Sequence, residues 1–464
     1  MKKRVVLLAV AALSACVSAP PPIPATDIPA GWEGPVSAGA PMWPKSDWWN
    51  SFGDPELSDI VKAVQTNNFD LANVKRNLES AQISLREAGY NLFPTPVVSI
   101  GTGASTTETR NATTGNNSAG PNQPVTLTAG FTYNDLVNRP AVFTRAQADY
   151  AGRVAQATSL ALNTLGTTAS TYFQLLLVRD KIVASQQNVA NAEAIGNIAQ
   201  ARVQAGVAVP IEALQQQIAI DRERNNLRQL QQNDLSARSA LALLQGRSVQ
   251  GFNVKGQTLL NMQVPTVQPG LPSELLQRRP DLVQAESTLR SSNANLTVVR
   301  NSLFPQISLT GNASASSTAL STLVSSPNTA LTISANLVQT LLDNGQRFRN
   351  IDQARITLEN NLASYRKSVI GAFNDVEVQL NNIQLLQSIG RTAQDNLAAA
   401  EESFRIAQAR YAEGVADYQT VLQSQNTLFT TRNSMLDNKL LQLNAAVSLY
   451  QALGGGWENP NQQQ

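Results

Sequence analysis

Two hydrophobic periods follow one another along the chain, and the succession occurs twice. In Ile307, Leu309, Gly311, Ala313 and Ala315 every second residue is apolar or small, while Ser308, Thr310, Asn312 and Ser314 fall between them. The same alternation runs through Val125, Leu127, Ala129, Phe131 and Tyr133, through Leu331, Ile333, Ala335 and Leu337, and more weakly through Val98, Ile100, Thr102 and Ala104. A period of two predicts four strands, joined in pairs by polar stretches at residues 105–123 and 316–328, and so two long-looped hairpins. Their polar faces are almost uncharged, as suits a wet lumen, and the opposite faces are apolar, as suits lipid. Two hairpins make a poor soluble sandwich. Lengths of about 9–11 residues fit a tilted membrane crossing. Four strands cannot close a barrel, and open edges are not tolerated in lipid, so several chains are expected to share one.

After each hairpin the period lengthens. From Tyr365 a 4-3 spacing runs through Val369, Ala372, Val376, Gln379, Ile383, Leu386, Gly390, Ala393, Leu397, Ala400, Phe404, Ala407 and Tyr411, a heptad seam of coiled-coil type. AEGVAD at residues 412–417 predicts a turn, and a returning seam follows as Leu422, Phe429, Leu436, Leu443 and Tyr450. The first half breaks likewise at QAGVAVP, before a helix opened by Pro210. An outgoing helix over residues 345–412 would be roughly 100 Å long at 1.5 Å per residue, against about 30 Å for the hydrocarbon core of a bilayer.

The halves are also similar residue by residue. Asp70 to Pro94 aligns with Asp281 to Pro305 over 25 positions without a gap, eight of them identical, each ending in LFP; AQARVQAGVAVPIEALQQQ from Ala199 matches AQARYAEGVADYQTVLQSQ from Ala407 with ten identities in 19. A period of about 210 residues predicts an internal duplication. The expected divisions are a signal peptide at 1–15, an N-terminal segment at 16–54, repeat 1 at 55–270, repeat 2 at 271–457 and a polar tail at 458–464.

Composition narrows the chemistry. The chain has no histidine and one cysteine in 464 residues, which leaves no plausible zinc or transition-metal site and no Ser-His or Cys-His nucleophile pair; neither catalysis nor a cofactor is expected. MKKR followed by VVLLAVAAL is laid out as a secretory signal peptide. Its end, Leu13-Ser14-Ala15-Cys16, resembles the bacterial lipobox, in which Cys16 is acylated and becomes the first residue of a lipid-anchored protein. The absence of any second cysteine for a disulfide agrees with that role. In the sorting pattern that this resemblance implies, an aspartate after the cysteine favours retention in the inner membrane, and Val17 in its place suggests passage to the outer membrane. Removing residues 1–15 leaves 32 Lys+Arg against 33 Asp+Glu, so nothing recruits nucleic acid electrostatically.

Six stretches in order resemble the outer-membrane factor family, the TolC-like exit ducts of tripartite efflux pumps, and its lipoprotein branch: WNSFGDPEL from Trp49, RPDLVQAE from Arg279, FPQISLTG from Phe304, LDNGQR from Leu342, RYAEGVADYQTVLQSQ from Arg410 and LYQALGGGW from Leu449. The resemblance implies a mixed, mainly α fold, a homotrimer whose chains each give four strands to a 12-stranded β-barrel and helices to a coiled-coil α-barrel. It implies an outer-membrane channel extending into the periplasm, which passively conducts drugs or other small molecules. The partners implied are a periplasmic adaptor (membrane fusion protein), an inner-membrane transporter of resistance-nodulation-division type, and outer-membrane lipids. Metal-ion efflux, type I protein secretion and, from another class, a non-porous periplasmic coiled-coil spacer are the alternatives. One stretch departs from the lipoprotein pattern: Asp135-Leu136-Val137-Asn138-Arg139-Pro140 stands where many members carry Asp-Leu-Phe-Gly-Arg.

The resemblance places Asp417 in an aspartate ring at the closed periplasmic tip; a helix N-cap is the other role for an aspartate there. Arg410 is a candidate tie to the neighbouring helix at the same gate, or a complement to its own helix C-terminus. Gly206, Val207, Pro210, Gly414 and Val415, in the two tip turns, are candidates for adaptor contact, with simple turn chemistry as the alternative. The resemblance runs the lipid-anchored segment 16–54 toward an equatorial belt partway along the duct, where Trp43, Trp48 and Trp49 are expected to pack, with anchoring in a membrane interface as the alternative. The glycines of ALGGGW, Ala452 to Trp457, are expected to stop the last helix.

Overall fold

The computed structural model describes residues 29–34, 43–102, 105–110, 117–122, 125–267, 269–317, 323, 325 and 328–457. Cys16, the signal peptide, the polar tail and Ala104 lie outside the described residues. The elements repeat as the alignment of the halves requires. Helix α1 (Pro55–Asn67) precedes α2 (Phe69–Tyr90, 22 residues), a hairpin, α3 (Arg139–Gln204, 66 residues) and α4 (Pro210–Leu244, 35 residues). Then α5 (Pro280–Asn301, 22 residues), a second hairpin, α6 (Gln346–Ala412, 67 residues) and α7 (Tyr418–Ala452, 35 residues) follow in the same order. No described helix is long and apolar enough to cross a membrane.

Among the described residues the chain forms two compact units that cut across both repeats. One contains the described residues of 78–153 and 285–365; the other contains those of 29–77, 154–284 and 366–457. The first holds the strands: β1 (Thr95–Thr102), β2 (Ser105–Arg110), β3 (Asn117–Asn122), β4 (Val125–Tyr133), β5 (Gln306–Ser317) and β6 (Asn328–Val338). A four-stranded antiparallel sheet runs in the order β1-β4-β5-β6, joining the two repeats through β4 and β5.

The polar stretch at 105–123 is not the plain loop expected from composition, because it contains the β2-β3 pair. That pair keeps the register of the hairpin before it: Thr102 faces Val125, and three residues further along each chain Ser105 faces Asn122. Asn, Gly and Ser mark turns, but the β-branched threonines of STTETR favour extended backbone and prolong the ladder already started.

The register also brings the separate alternations onto one face. Ile100 lies opposite Leu127, Leu127 opposite Ala315, Phe131 opposite Gly311, and Gly311 opposite Ile333. Gly311 has no side chain where the Phe131 ring lies, so the aromatic ring covers its backbone. Both outer strands are exposed: Ile100 is 69% accessible and Leu331 77%.

In the second unit, Trp48, Trp49 and Phe52 are buried with Leu57, Val61 and Val64 of α1, Tyr172 and Phe173 of α3, and Tyr450 of α7. Trp48 stacks on Tyr450 at 5.2 Å between centroids, and Phe52 meets Phe173 at 5.1 Å. The Arg278 guanidinium lies 4.6 Å from the Trp43 ring. Trp48 and Trp49 therefore pack inside the protein, and Trp43 is half-buried. Arg279, nine-tenths buried, pairs with Asp281 at 2.7 Å and Asp375 at 3.1 Å and donates to the Ala452 carbonyl, tying α5, α6 and the end of α7 together. The departure at 135–140 folds as a tight turn: Asp135 takes φ 54°, Asn138 donates to its carboxylate, and α3 starts at Arg139 with Pro140 in its first turn.

Candidate functional site: the helical tips and the open sheet

The α6 seam is closed as its spacing requires: Val369, Ala372, Val376, Leu386, Ala400, Phe404, Ala407 and Tyr411 are buried, and none of the 14 seam positions is exposed. The seam ends in a small core of Ile195, Phe404, Tyr411, Tyr418, Val421 and Phe429 that belongs to both helical hairpins.

The two tips are built alike. Val207 N–H bonds back to the Arg202 carbonyl and Gly206 N–H to Val203; Val415 bonds to Arg410 and Gly414 to Tyr411. This is the Schellman ending, which needs a left-handed residue after the last turn. Gly206 (φ 71°) and Gly414 (φ 79°) supply it. The restarts differ: Pro210 opens α4 with no side-chain cap, whereas Asp417 accepts the Thr420 N–H at 2.7 Å and caps α7. Those hydrogen bonds from Thr420 hold the exposed Asp417 carboxyl below the usual carboxylate range. A depressed carboxyl stabilises the cap above its unfolded value and loses that contribution as pH falls through the folded value, so near neutrality Asp417 is both cap and negative charge.

A polar cluster joins the hairpins. The Tyr411 hydroxyl donates to Glu212 at 2.8 Å, Tyr418 donates to Gln216 at 2.9 Å, and Gln216 donates to the Ala192 carbonyl at 2.8 Å. Burial and the nearby Glu212 carboxylate push the Tyr418 hydroxyl up to about 12. Arg202 donates to the Tyr411 carbonyl at 2.9 Å, with its guanidinium 4.8 Å from the Tyr411 ring centroid. Arg202 occupies in repeat 1 the place of Arg410 in repeat 2. Arg410 itself is exposed, and among the described residues its side chain has no partner. One residue is 100° of helix rotation; with Tyr411 facing the core, Arg410 points away. The tie within one chain is made by Arg202, and the repeat alignment was the signal that could have found it.

Two apolar stripes escaped the heptad reading. On α6, Val378, Leu385, Ala399 and Ile406 fall on one seven-residue repeat beside the buried seam, interrupted by Thr392, with Val378 59% accessible. At the start of α4, Ile211, Leu214 and Ile218 are exposed, the last 71% accessible, and the exposed Val207 and Val209 precede them. Repeat 2 has no such stripe at its tip, where Gln419, Leu422 and Asn426 stand at the same positions.

Comparison with known proteins gives a consistent picture. The family model described as outer membrane efflux protein matches residues 60–247 and 271–455. The chain is 30% identical over 468 residues to the pyoverdine export outer membrane protein OpmQ of Pseudomonas aeruginosa, covering 100% of this chain and 98% of that protein. It is 27% identical over 440 residues to the probable efflux pump outer membrane protein TtgC of Pseudomonas putida, covering 92% and 91%. The solved Campylobacter jejuni CmeC outer membrane channel superposes with a TM-score of 0.85 at 21% identity, covering 94% of each chain.

Proposed function

Because the chain belongs to the outer membrane efflux protein family, we propose that it is the exit duct of a tripartite efflux pump, anchored through Cys16 and conducting small organic molecules outward without catalysing a reaction. The observation that carries the duct is the four-stranded sheet: one continuous apolar face, and two free edges that lipid does not tolerate. Copies of the chain close it, three in the reading drawn from the family. The exposed stripes of α6 and α4 are the faces on which neighbouring helices pack. The tip turns at Gly206, Val207, Pro210, Gly414 and Val415 receive a periplasmic adaptor, which couples the duct to an inner-membrane transporter of resistance-nodulation-division type. The name of the relative OpmQ, a pyoverdine export outer membrane protein, favours pyoverdine or a similar exported small molecule as cargo, to be read from its retention in cells lacking the protein.

Asp417 is assigned to the gate, and Arg202 with Tyr411 to the latch that keeps the two hairpins together. Two substitutions separate charge from capping. Asp417→Asn keeps an N-cap of similar quality and removes the charge, whereas Asp417→Ala removes both. In planar bilayers both variants are expected to lose cation preference relative to the parent, and Arg202→Ala to open more often. Loss of cation preference in Asp417→Ala alone would assign the residue to capping only. No pores in any variant, with helical monomers in solution, would leave a periplasmic spacer as the better reading.

A further inference from the structure

The sheet contains enough information to fix how one copy meets the next, given the shared barrel above, on which this inference rests. A row of directly opposed residues crosses the chain from Val98 to Ala129, Ala313 and Leu331. In a closed barrel the row passes from Leu331 onto β1 of the next copy, shifted along the strand from Val98 by some number of residues. Three constraints act on that shift.

The first is parity. Leu331, Ile333, Ala335 and Leu337 share a face with Pro96, Val98, Ile100 and Thr102 through the two strands between them. Successive residues point to opposite faces, so only an even shift keeps one apolar surface around the barrel.

The second is tilt. Four strands about 4.8 Å apart and residues about 3.3 Å apart make shifts of two, four and six residues correspond to strand tilts of about 19°, 35° and 46°, whatever the number of copies. Closed barrels take about 35–45°.

The third is overlap. A shift of four toward the end of β1 sets Val338 opposite Thr95 and Leu331 opposite Thr102, so all eight residues of β1 are paired. The same shift in the other direction leaves three pairs, and a shift of six leaves Thr95 and Pro96 without partners.

We propose that β6 pairs antiparallel with β1 of the next copy with Val338 opposite Thr95, Leu337 opposite Pro96, Ala335 opposite Val98, Ile333 opposite Ile100 and Leu331 opposite Thr102. Val338, the last residue of β6, then has Gln306 at the start of β5 on one side and Thr95 at the start of β1 on the other. The exposed apolar residues of both edge strands form cross-strand pairs at the seam.

Paired cysteines test the register. Directly opposite residues have Cα atoms about 4.5–5.5 Å apart and diagonal neighbours about 7–8 Å, and a disulfide needs less than about 7 Å. Ile100→Cys is combined in turn with Leu331→Cys, Ile333→Cys and Ala335→Cys in the full-length protein in detergent, copper-phenanthroline serving as oxidant and each single variant as control. The Ile100→Cys/Ile333→Cys protein is expected to yield at least tenfold more covalently joined copies on a non-reducing gel than the other two. Dominant joining through Ala335→Cys or Leu331→Cys, a shift of six or two, would overturn the register and leave the shared barrel standing. No joining in any pair, while the unsubstituted protein is multimeric by mass, would overturn the β6-β1 pairing. A monomer by mass would remove the shared barrel and the register together.

Discussion

Gly454→Ala is expected to be among the most damaging single-methyl changes in the described chain. Gly454 follows α7 with φ 87°, and a Cβ there would run into the Arg278 carbonyl oxygen and lie 2.8 Å from the Arg278 carbonyl carbon. Both groups are backbone, so no rotamer change relieves the contact. The left-handed conformation costs a non-glycine residue about 1–3 kcal/mol, and forced separation of packed backbone adds about 1–3 kcal/mol. A total loss of roughly 2–6 kcal/mol is expected. The neighbouring Arg279 ties would move with it, since Arg279 donates to the Ala452 carbonyl two residues before Gly454. Gly206→Ala is the matched control: φ is 71° but nothing lies within 4 Å of its Cβ. It should cost only the conformational part. Urea midpoints of the two variants in detergent measure the difference, and equal midpoints would contradict the close approach at Arg278.

Phe52→Ala is expected to cost about 3–5 kcal/mol, the range for removing a fully buried aromatic ring. Phe52 is 0% exposed, and its ring lies 5.1 Å from Phe173, 6.1 Å from Trp48 and 6.2 Å from Tyr450. Those partners come from α3, α7 and the segment before α1, so the void opens where three parts of the chain are joined. Limited proteolysis should cut near residues 43–54 in the variant and spare the parent. Phe52→Leu, which refills much of the space, should recover most of the protection; a variant as resistant as the parent would show that this segment is held by other contacts.

The long helices were legible because their order is local. A heptad such as Val369 to Tyr411 decides which face is buried from spacing alone, and every seam position is covered in the structure. The tip turns were legible for the same reason: glycine is the residue that ends a helix in the left-handed region, and both Gly206 and Gly414 do so. Asp417 was readable as a cap from its place before α7.

What escaped the sequence was relational. The threonines of STTETR have strand preference, but only a ladder already running from β1 and β4 turns that preference into a hairpin. Arg202 and Arg410 stand at equivalent places, each closing the same AQAR tetrapeptide, and nothing local says which faces the other hairpin. Val378 and Leu385 fall beside the seam in the heptad, and only the structure shows that no part of the same chain covers them.

The sequence by itself determined the duplication, the succession of strand and long helix in each half, the buried seam, the turn residues and the family resemblance. Each depends on residues close together in the chain or on copies of one pattern. Only the tertiary structure decided that β4 pairs with β5 across the repeats, that four separate alternations form one apolar face, and that Arg202 holds the tip. Those outcomes depend on backbone register and helix rotation, where a shift of one residue exchanges faces at no change in composition.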